Sequence, residues 1–279
     1  MQGYRAPVFG TLPIVIRNLL IANIVVFLAD MALTRMSAFN MTDWFALHNF
    51  QSEKFSPIQL VTYMFMHGGL SHIFFNMFAL VMFGRILEQV WGGKRFLIYY
   101  LVTGVGAALC QLVVSYFSLA SLQAEVTAYI NTPDPELLMR LIRTHLSNPS
   151  AWVNDFLINY SADPNNIDNI VQGELIARGL LHLYVDTPTV GASGAIFGVL
   201  LAFGVLFPNV QLMLLFPPIP IRAKWFVIGY GVIELLAVIV PQANDNVAHF
   251  AHLGGMIFGY ILIRYWNRHA DINNNWDGY

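Results

Sequence analysis

Charged residues and cysteines are scarce in this chain of 279 residues. Asp, Glu, Lys and Arg make up 11% of it, against about 25% in typical soluble domains. The single cysteine, Cys110, excludes an intramolecular disulfide, and the formal net charge of −2 argues against a nucleic-acid partner. Hydrophobic residues instead make up 57%, with a mean hydropathy of +0.57. The composition predicts an integral membrane protein in contact with the lipid bilayer.

Six apolar runs of about twenty residues are long enough to cross a hydrocarbon core about 30 Å thick. The first is too long for the core of a cleaved signal peptide and lacks a small-residue cleavage site, so we interpret it as a retained anchor. We expect one all-α membrane domain over 1–279, a bundle of six transmembrane helices. The runs lie near 14–34, 70–90, 95–118, 190–208, 224–241 and 247–265.

Lysine and arginine predict the orientation of these helices, because cytoplasmic segments carry an excess of them. With residues 1–13 in the cytoplasm, nine of these residues lie on the inner side and five on the outer side, where the loops are longer. We therefore expect a cell-membrane protein with both termini cytoplasmic. The inner set is Arg5, Arg17, Arg85, Lys94, Arg95, Arg222, Lys224, Arg264 and Arg268, and the outer set is Arg35, Lys54, Arg140, Arg143 and Arg178.

A polar stretch between the third and fourth runs is expected to form an extracytoplasmic insertion over 119–188. Between 123 and 186 it holds eight acidic and three basic residues, with turn-forming residues at 162–166. Asp134-Pro135-Glu136 is typical of a helix start, and apolar residues recur at helical spacing after it. We expect two or three amphipathic helices on the outer surface. Membrane association, a peptide-binding cap and a purely structural role all fit this pattern.

Ser193 and two histidines are the first candidate site residues. Ser193 lies in Gly191-Ala192-Ser193-Gly194, where the glycines permit either a substrate backbone or a neighbouring helix to approach closely. His249 and His252 lie in the sixth run, where an imidazole is costly to keep without a task. A neutral imidazole would accept the Ser193 proton during attack. We favour His252 over His249 because Gly255 and a glycine four residues later place it deeper, at a helix interface.

His72 and Asn76 form a second polar pair, in the second run. They are four residues apart, so their side chains share one helical face. An amide in lipid costs free energy unless it is partnered, and a lone Asn more often joins two helices. With His72 beside it and a candidate nucleophile elsewhere, Asn76 instead favours a pair of donors for an oxyanion.

These motifs together resemble the rhomboid family of intramembrane serine proteases. The resemblance rests on His72-x-x-x-Asn76, on 191–194 and on 251–259, with 87–89 and Trp91-Gly92 also similar. It implies cleavage of peptide bonds in or next to transmembrane segments of substrate proteins by a Ser-His dyad, without a metal or cofactor. The implied roles are Ser193 as nucleophile, His252 as base, His72, Asn76 and the Ser193 amide as oxyanion hole, and His67, Gly191, Phe197, Gly255 and Gly259 as support.

The chain departs from the family's pattern at two places. Ile58-Gln59 stands where many members carry Trp-Arg, and the minimal bacterial forms lack a stretch such as 119–188. In addition, no acid in the sixth run is placed to orient the imidazole, since Asp245 lies about two turns outward. We therefore expect a dyad without a carboxylate. Substrate access is expected between the second and fifth spans, with a gate formed by the fifth helix and its outer loop around 241–244.

Two other functions fit parts of the sequence. A zinc site built from His67, His72, His249 and His252 is the competing enzyme interpretation, although the chain has no His-Glu-x-x-His run. The non-enzymatic alternatives are a transporter and a catalytically inactive rhomboid-like protein that binds membrane clients. Inactive relatives usually lack the serine or the histidine, and this chain keeps both.

Overall fold

A computed structural model describes residues 12–36, 39–146, 148–213, 218–240 and 247–272. The chain is mostly helical, with one short antiparallel hairpin of β1 (Gln211–Met213) and β2 (Pro220–Arg222). The helices are α1 (Ile14–Arg35), α2 (Met41–Phe45), α3 (Gln59–Thr62), a 3-10 turn (Tyr63–Phe65), α4 (Leu70–Ala79), a π turn (Leu80–Gly84), α5 (Arg85–Trp91), α6 (Gly93–Asn131), α7 (Pro135–His145), α8 (Ala151–Ala162), α9 (Ile167–Asp186), α10 (Ser193–Leu206), α11 (Ala223–Ile239) and α12 (His249–Ile272).

Each of the six apolar runs contains a helix. In the described ranges, three helices are long and apolar enough to cross a membrane: Ile14–Arg35, the continuous helix Leu70–Trp91, and Gly93–Asn131. The helix of the fourth run, Ser193–Leu206, has 14 residues and is shorter. α6 continues well past 118, where the third run was expected to end, and stops just before Pro133, which disfavours helix in the residue before it.

α10 is the innermost helix of the bundle. Most of its residues are buried, and it packs against α6, α11, α12 and the π turn. A helix that is apolar on every side is surrounded either by protein or by lipid, and α10 is surrounded by protein. Ser193 is its first residue, so this side chain lies at the end of the most enclosed helix.

The segment after the third run has an apolar core of its own. The far end of α6 and helices α7, α8 and α9 contribute to it, so the expected two or three helices are three. The predicted helix start at Asp134 is confirmed, because its carboxylate accepts hydrogen bonds from the amides of Glu136 and Leu137 at 2.8 and 2.9 Å. The core consists of Leu122, Val126, Tyr129, Leu138, Leu141, Ile142, Phe156, Leu157, Tyr160, Ala177 and Leu180.

Gln59 organises the loop between α1 and α4. Its side chain is fully buried, although the residue lies at the start of a short helix. Its Oε1 accepts from the amide of His48 at 3.2 Å, and its Nε2 donates to the carbonyls of Trp44 and Lys54 at 3.3 and 2.7 Å. One amide therefore pairs three backbone groups that would otherwise be buried without partners.

The same loop holds the segment that leads into α10. Leu47 and Thr189 exchange two backbone hydrogen bonds, of 2.9 and 2.8 Å. The Ser52 hydroxyl donates to Asp186 Oδ1 at 2.7 Å, at the last residue of α9. The position of Ser193 therefore depends on a loop more than a hundred residues earlier in the chain.

Glu88 caps α1 from the end of the second span. Its two carboxylate oxygens accept from the amides of Val15 and Ile16, at 2.9 and 2.8 Å. The first amides of a helix lack intrahelical acceptors and carry the positive end of the helix dipole, so a carboxylate is a favourable partner. Glu88 is buried, and this pairing explains how an acid is tolerated there.

Replacing Gln59 by leucine is expected to lower the thermal unfolding temperature of the protein in detergent. The change keeps the buried side chain similar in size but leaves three backbone groups without partners, at about 1–3 kcal/mol each. Gln51→Leu is the matched control, because Gln51 lies in the same loop and is exposed. Equal unfolding temperatures for the two variants would show that the loop does not depend on the Gln59 amide.

Candidate active site

Ser193 and His252 meet across the interface of two helices. Ser193 opens α10, and His252 lies in the first turn of α12. His252 Nε2 is 2.7 Å from Ser193 Oγ, a hydrogen-bond distance. His252 is 7% exposed, whereas Ser193 is partly exposed. A hydroxyl that a reactant can reach is thus paired with a shielded imidazole.

Gly255 brings the two helices into backbone contact. A Cβ at this position would collide with the carbonyl group of Gly194, so only glycine allows α12 to lie so close to α10. The resemblance implied that Gly259 also lets the sixth run approach the fourth, and this is wrong: Gly259 faces α6, where the Tyr99 side chain fills the space that its own side chain would take. The Tyr99 hydroxyl donates to the carbonyl of Gly198 in α10 at 2.8 Å. Three helices therefore fix the position of His252.

Phe197 fixes the plane of the His252 ring. It lies one turn into α10 after Ser193, and the two rings stack with centroids 4.1 Å apart and planes 9° from parallel. A flat contact of this kind favours this plane of the imidazole ring. Within that plane, Nε2 is the ring atom that faces the Ser193 hydroxyl.

Sequence reasoning missed a carboxylate beside His252. Glu234 of α11 is buried, and its Oε2 lies 3.0 Å from His252 Nδ1. The expectation that no acid reaches the imidazole considered the sixth run alone and is wrong, because Glu234 comes from the fifth. The available signal was a single acid in the middle of an apolar run, which by default marks a functional site. Asp245 and the expected gate at 241–244 lie outside the described residues.

Both histidines of α12 contact Glu234, since His249 Nδ1 lies 2.5 Å from the same Oε2 atom. His252 in addition contacts Ser193. Glu234, His249 and His252 each offer one ligand atom, all within 4.8 Å of one another, and zinc accepts such a mixed set. This group differs from the four histidines considered from the sequence. His67 and His72 instead pack edge to face, with ring centroids 5.1 Å apart.

His67 is buried in the loop before α4. Burial, together with the neighbouring His72, lowers the pKa of His67 to about 4, although its contact with the Phe65 carbonyl opposes the shift. His67 is consequently neutral at pH 7. The neutral His67 ring therefore packs against the His72 ring without adding a charge next to it.

His72 and Asn76 approach the segment that precedes Ser193. The His72 ring lies against Gly191, where a Cβ would come within 2.6 Å of ring Nε2. Gly191 has a φ of +119°, which side-chain-bearing residues rarely adopt, and its amide donates to the Tyr63 carbonyl at 3.0 Å. Asn76 is buried and donates one amide hydrogen to the His72 carbonyl at 3.0 Å. An amide carries two such hydrogens, so that bond uses only one of them.

The start of α10 supplies backbone donors beside Ser193. Ala192 precedes the helix and makes no side-chain cap hydrogen bond. The first amides of a helix have no intrahelical acceptor and carry the positive end of its dipole. An oxyanion formed next to Ser193 would be stabilised by these groups, as the tetrahedral intermediate of acyl transfer requires.

Comparison with known proteins shows the family of the chain. A Rhomboid domain family model matches residues 54–122 and 169–268. Rhomboid protease GluP of Bacillus subtilis (strain 168) is 26% identical over 163 residues, which are 53% of this chain and 31% of that protein. RHOMBOID-like protein 6, mitochondrial, of Arabidopsis thaliana is 39% identical over 51 residues, 18% of this chain and 17% of that protein. The matched part thus spans under a third of either relative.

Replacing Gly191 by alanine is expected to slow the reaction of Ser193 with a serine-directed phosphonate and to destabilise the protein. The new Cβ would strain the backbone by about 1–3 kcal/mol and push the His72 ring away. Gly69→Ala is the control, because Gly69 is close in sequence to His72 and a Cβ there meets nothing within 4 Å. Labelling rates that match between the two variants would contradict the role given to Gly191.

Proposed function

Because the chain belongs to the rhomboid family and is an integral membrane protein, we propose that it is an intramembrane serine protease. Its substrates are membrane proteins, cleaved in or next to their transmembrane segments. The observation that carries this proposal is the 2.7 Å contact between Ser193 Oγ and His252 Nε2. GluP, one of the relatives, is named a protease.

The proposed reaction is acyl transfer in two steps. Ser193 Oγ attacks the substrate carbonyl carbon while its proton passes to His252 Nε2. The protonated imidazole then gives that proton to the leaving amide nitrogen as the C–N bond breaks. Water, deprotonated by His252, releases the acyl group and restores the hydroxyl. A helical substrate must unwind first, because its carbonyl is already hydrogen-bonded within the helix.

His72, Asn76 and the Ser193 amide are proposed to stabilise the oxyanion. The support is their placement: His72 lies against the residues that precede Ser193, and Asn76 is one helical turn further along α4. The start of α10 adds its positive dipole end. These donors are most effective where the surroundings exclude water, and α4, α10 and α12 provide such surroundings.

We place the site towards the outer face of six membrane-spanning helices, with both termini in the cytoplasm. The distribution of lysine and arginine supports this orientation. Substrate access is proposed between α4–α5 and α11. Near one end of α11, Phe226 stacks on Phe83 of the second span at 6.2 Å, and further along α11 many apolar side chains are exposed. The proposed gate at 241–244 lies outside the described residues.

Residues 119–188 are proposed to form an outer insertion within a single domain over 1–279. Two observations support this: the helices of the segment share their own apolar core, and the matched family residues leave out 123–168. The end of the segment is attached to the loop between α1 and α4, because Ser52 bonds Asp186 and, just after the segment, Leu47 pairs with Thr189. We propose that it affects the choice of substrate.

Ser193→Ala and His252→Ala are each expected to abolish cleavage of a helical transmembrane test substrate by the purified protein in detergent. The two side chains act as one unit, so the double variant should be no worse than either single one. Ser115→Ala and His182→Ala are the controls, with Ser115 bonded to Gln111 in α6 and His182 exposed on α9.

Cleavage by Ser193→Ala would refute the serine-protease proposal. Loss of cleavage on chelation, with Ser193 intact, would instead favour the metal alternative at Glu234, His249 and His252. A wild-type protein that binds the test substrate, fails to cleave it and does not react with a serine-directed phosphonate would be an inactive family member.

His72→Ala and Asn76→Ala are expected to lower kcat while changing KM little. Loss of one oxyanion donor costs roughly 2.7–4 kcal/mol, or about 10²–10³ in turnover, because the donor acts mainly on the transition state. Steady-state kinetics on the same substrate measure both constants. Wild-type kcat in both variants would reduce His72 and Asn76 to helix packing.

A further inference from the structure

The His252 ring has an acidic neighbour at the nitrogen that does not face Ser193. Its Nε2 meets Ser193 Oγ at 2.7 Å, and its Nδ1 lies 3.0 Å from Oε2 of Glu234. Glu234 is 6% exposed and lies in the middle of α11. The imidazole therefore stands between a hydroxyl and a carboxylate. The rhomboid resemblance implies only the first of these two partners.

The carboxylate is close to Nδ1 without being aligned with it. The separation is that of an ion pair, but Nδ1 has no directed hydrogen bond, so Oε2 lies to one side of the N–H direction. Catalytic hydrogen bonds are often poorly aligned before substrate binds and tighten in the complex. The attraction between opposite charges depends on distance, so Glu234 still stabilises a positive charge on the ring.

His249 holds the carboxylate in place. Its Nδ1 lies 2.5 Å from the same Oε2 atom, and since a carboxylate only accepts, Nδ1 is the donor. His249 is the first residue of α12, so Glu234 contacts two rings of one helical turn at the positive end of the helix dipole. An acid in an apolar helix needs partners of this kind, and here both partners belong to the helix that carries the general base.

We propose that Glu234 is a positioning residue that extends the Ser193–His252 pair to a Ser-His-Glu triad. The carboxylate keeps the hydrogen of the resting ring on Nδ1, which leaves the Nε2 lone pair for the Ser193 proton. When Nε2 takes that proton, the carboxylate stabilises the resulting imidazolium without itself being protonated. The inference rests on the proposed protease function and adds a third residue to its site.

Glu234→Gln in the full-length protein is expected to lower kcat and leave KM unchanged. The loss should lie between about tenfold and roughly 10⁴-fold, the range found when a group that orients a histidine is replaced. Glu234→Asp keeps the charge and is expected to retain more activity than Glu234→Gln. The measurement is steady-state cleavage of the helical test substrate in detergent, per folded enzyme.

Glu88→Gln is the matched control for a general effect of removing a buried acid. Glu88 is also a buried glutamate of a spanning helix, but its carboxylate binds the start of α1. Its variant is expected to unfold at a lower temperature with kcat per folded enzyme unchanged. Wild-type kcat in Glu234→Gln, or an equal loss of kcat in both variants, would overturn the triad.

A measurement on the wild-type protein covers the case in which Glu234→Gln does not fold. Nuclear magnetic resonance of protein labelled with ¹⁵N-histidine, assigned through His252→Ala and His249→Ala, should show the His252 hydrogen on Nδ1. A hydrogen on Nε2 would overturn the proposal. If the protease proposal is wrong, the wild type will be inactive or Ser193→Ala will be active. If only the triad is wrong, the protein will keep full activity without the Glu234 carboxylate.

Discussion

Hydrocarbon offers no hydrogen bonds, so a polar group in a spanning helix is stabilised by a partner within the protein. Glu88 finds its partners at the start of α1, and Tyr99 finds its partner at the carbonyl of Gly198. Tyr63 does the same at the carbonyl of Gly104, at 2.7 Å. Each of these bonds joins two elements distant in sequence. The same bonds that stabilise these buried polar groups therefore also hold α1 on the second span, the 3-10 turn on α6, and α6 on α10.

The polar groups of the candidate site are partnered in the same way. Ser193, His252 and Glu234 come from three different helices, and each finds a polar neighbour in another. Water competes less for His252 and Glu234, which are buried, than it would in an open cleft, whereas Ser193 is partly exposed. The contacts from hydroxyl to carboxylate are already formed in the free protein.

The sequence predicted features that depend on neighbouring residues in the chain, such as helices and their starts. It did not predict which helix faces pack together. Apolar length predicted helices at all six runs, and Asp134 predicted the start of α7 through its own amide bonds. The full length of α6 was not predicted, because its residues after 118 pack into the second apolar core and not into the bundle. Glu234 was not assigned, since α11 is apolar around most of its circumference and its spacing does not show which face meets α12. Likewise, the sequence of α12 does not show that Gly259 faces Tyr99 of α6 and not α10.

The backbone contact between Gly255 and Gly194 has a mechanical consequence. Where two helices touch through side chains, rotamer changes let their separation fluctuate, and the distance between groups carried on them fluctuates too. Here no side chain intervenes, one helical turn from His252 and directly after Ser193. The spacing of Ser193 and His252, the proposed reacting pair, is thus set by the backbone, the stiffest part of the polypeptide. The distance between these two side chains therefore varies as little as the distance between the two backbones in contact.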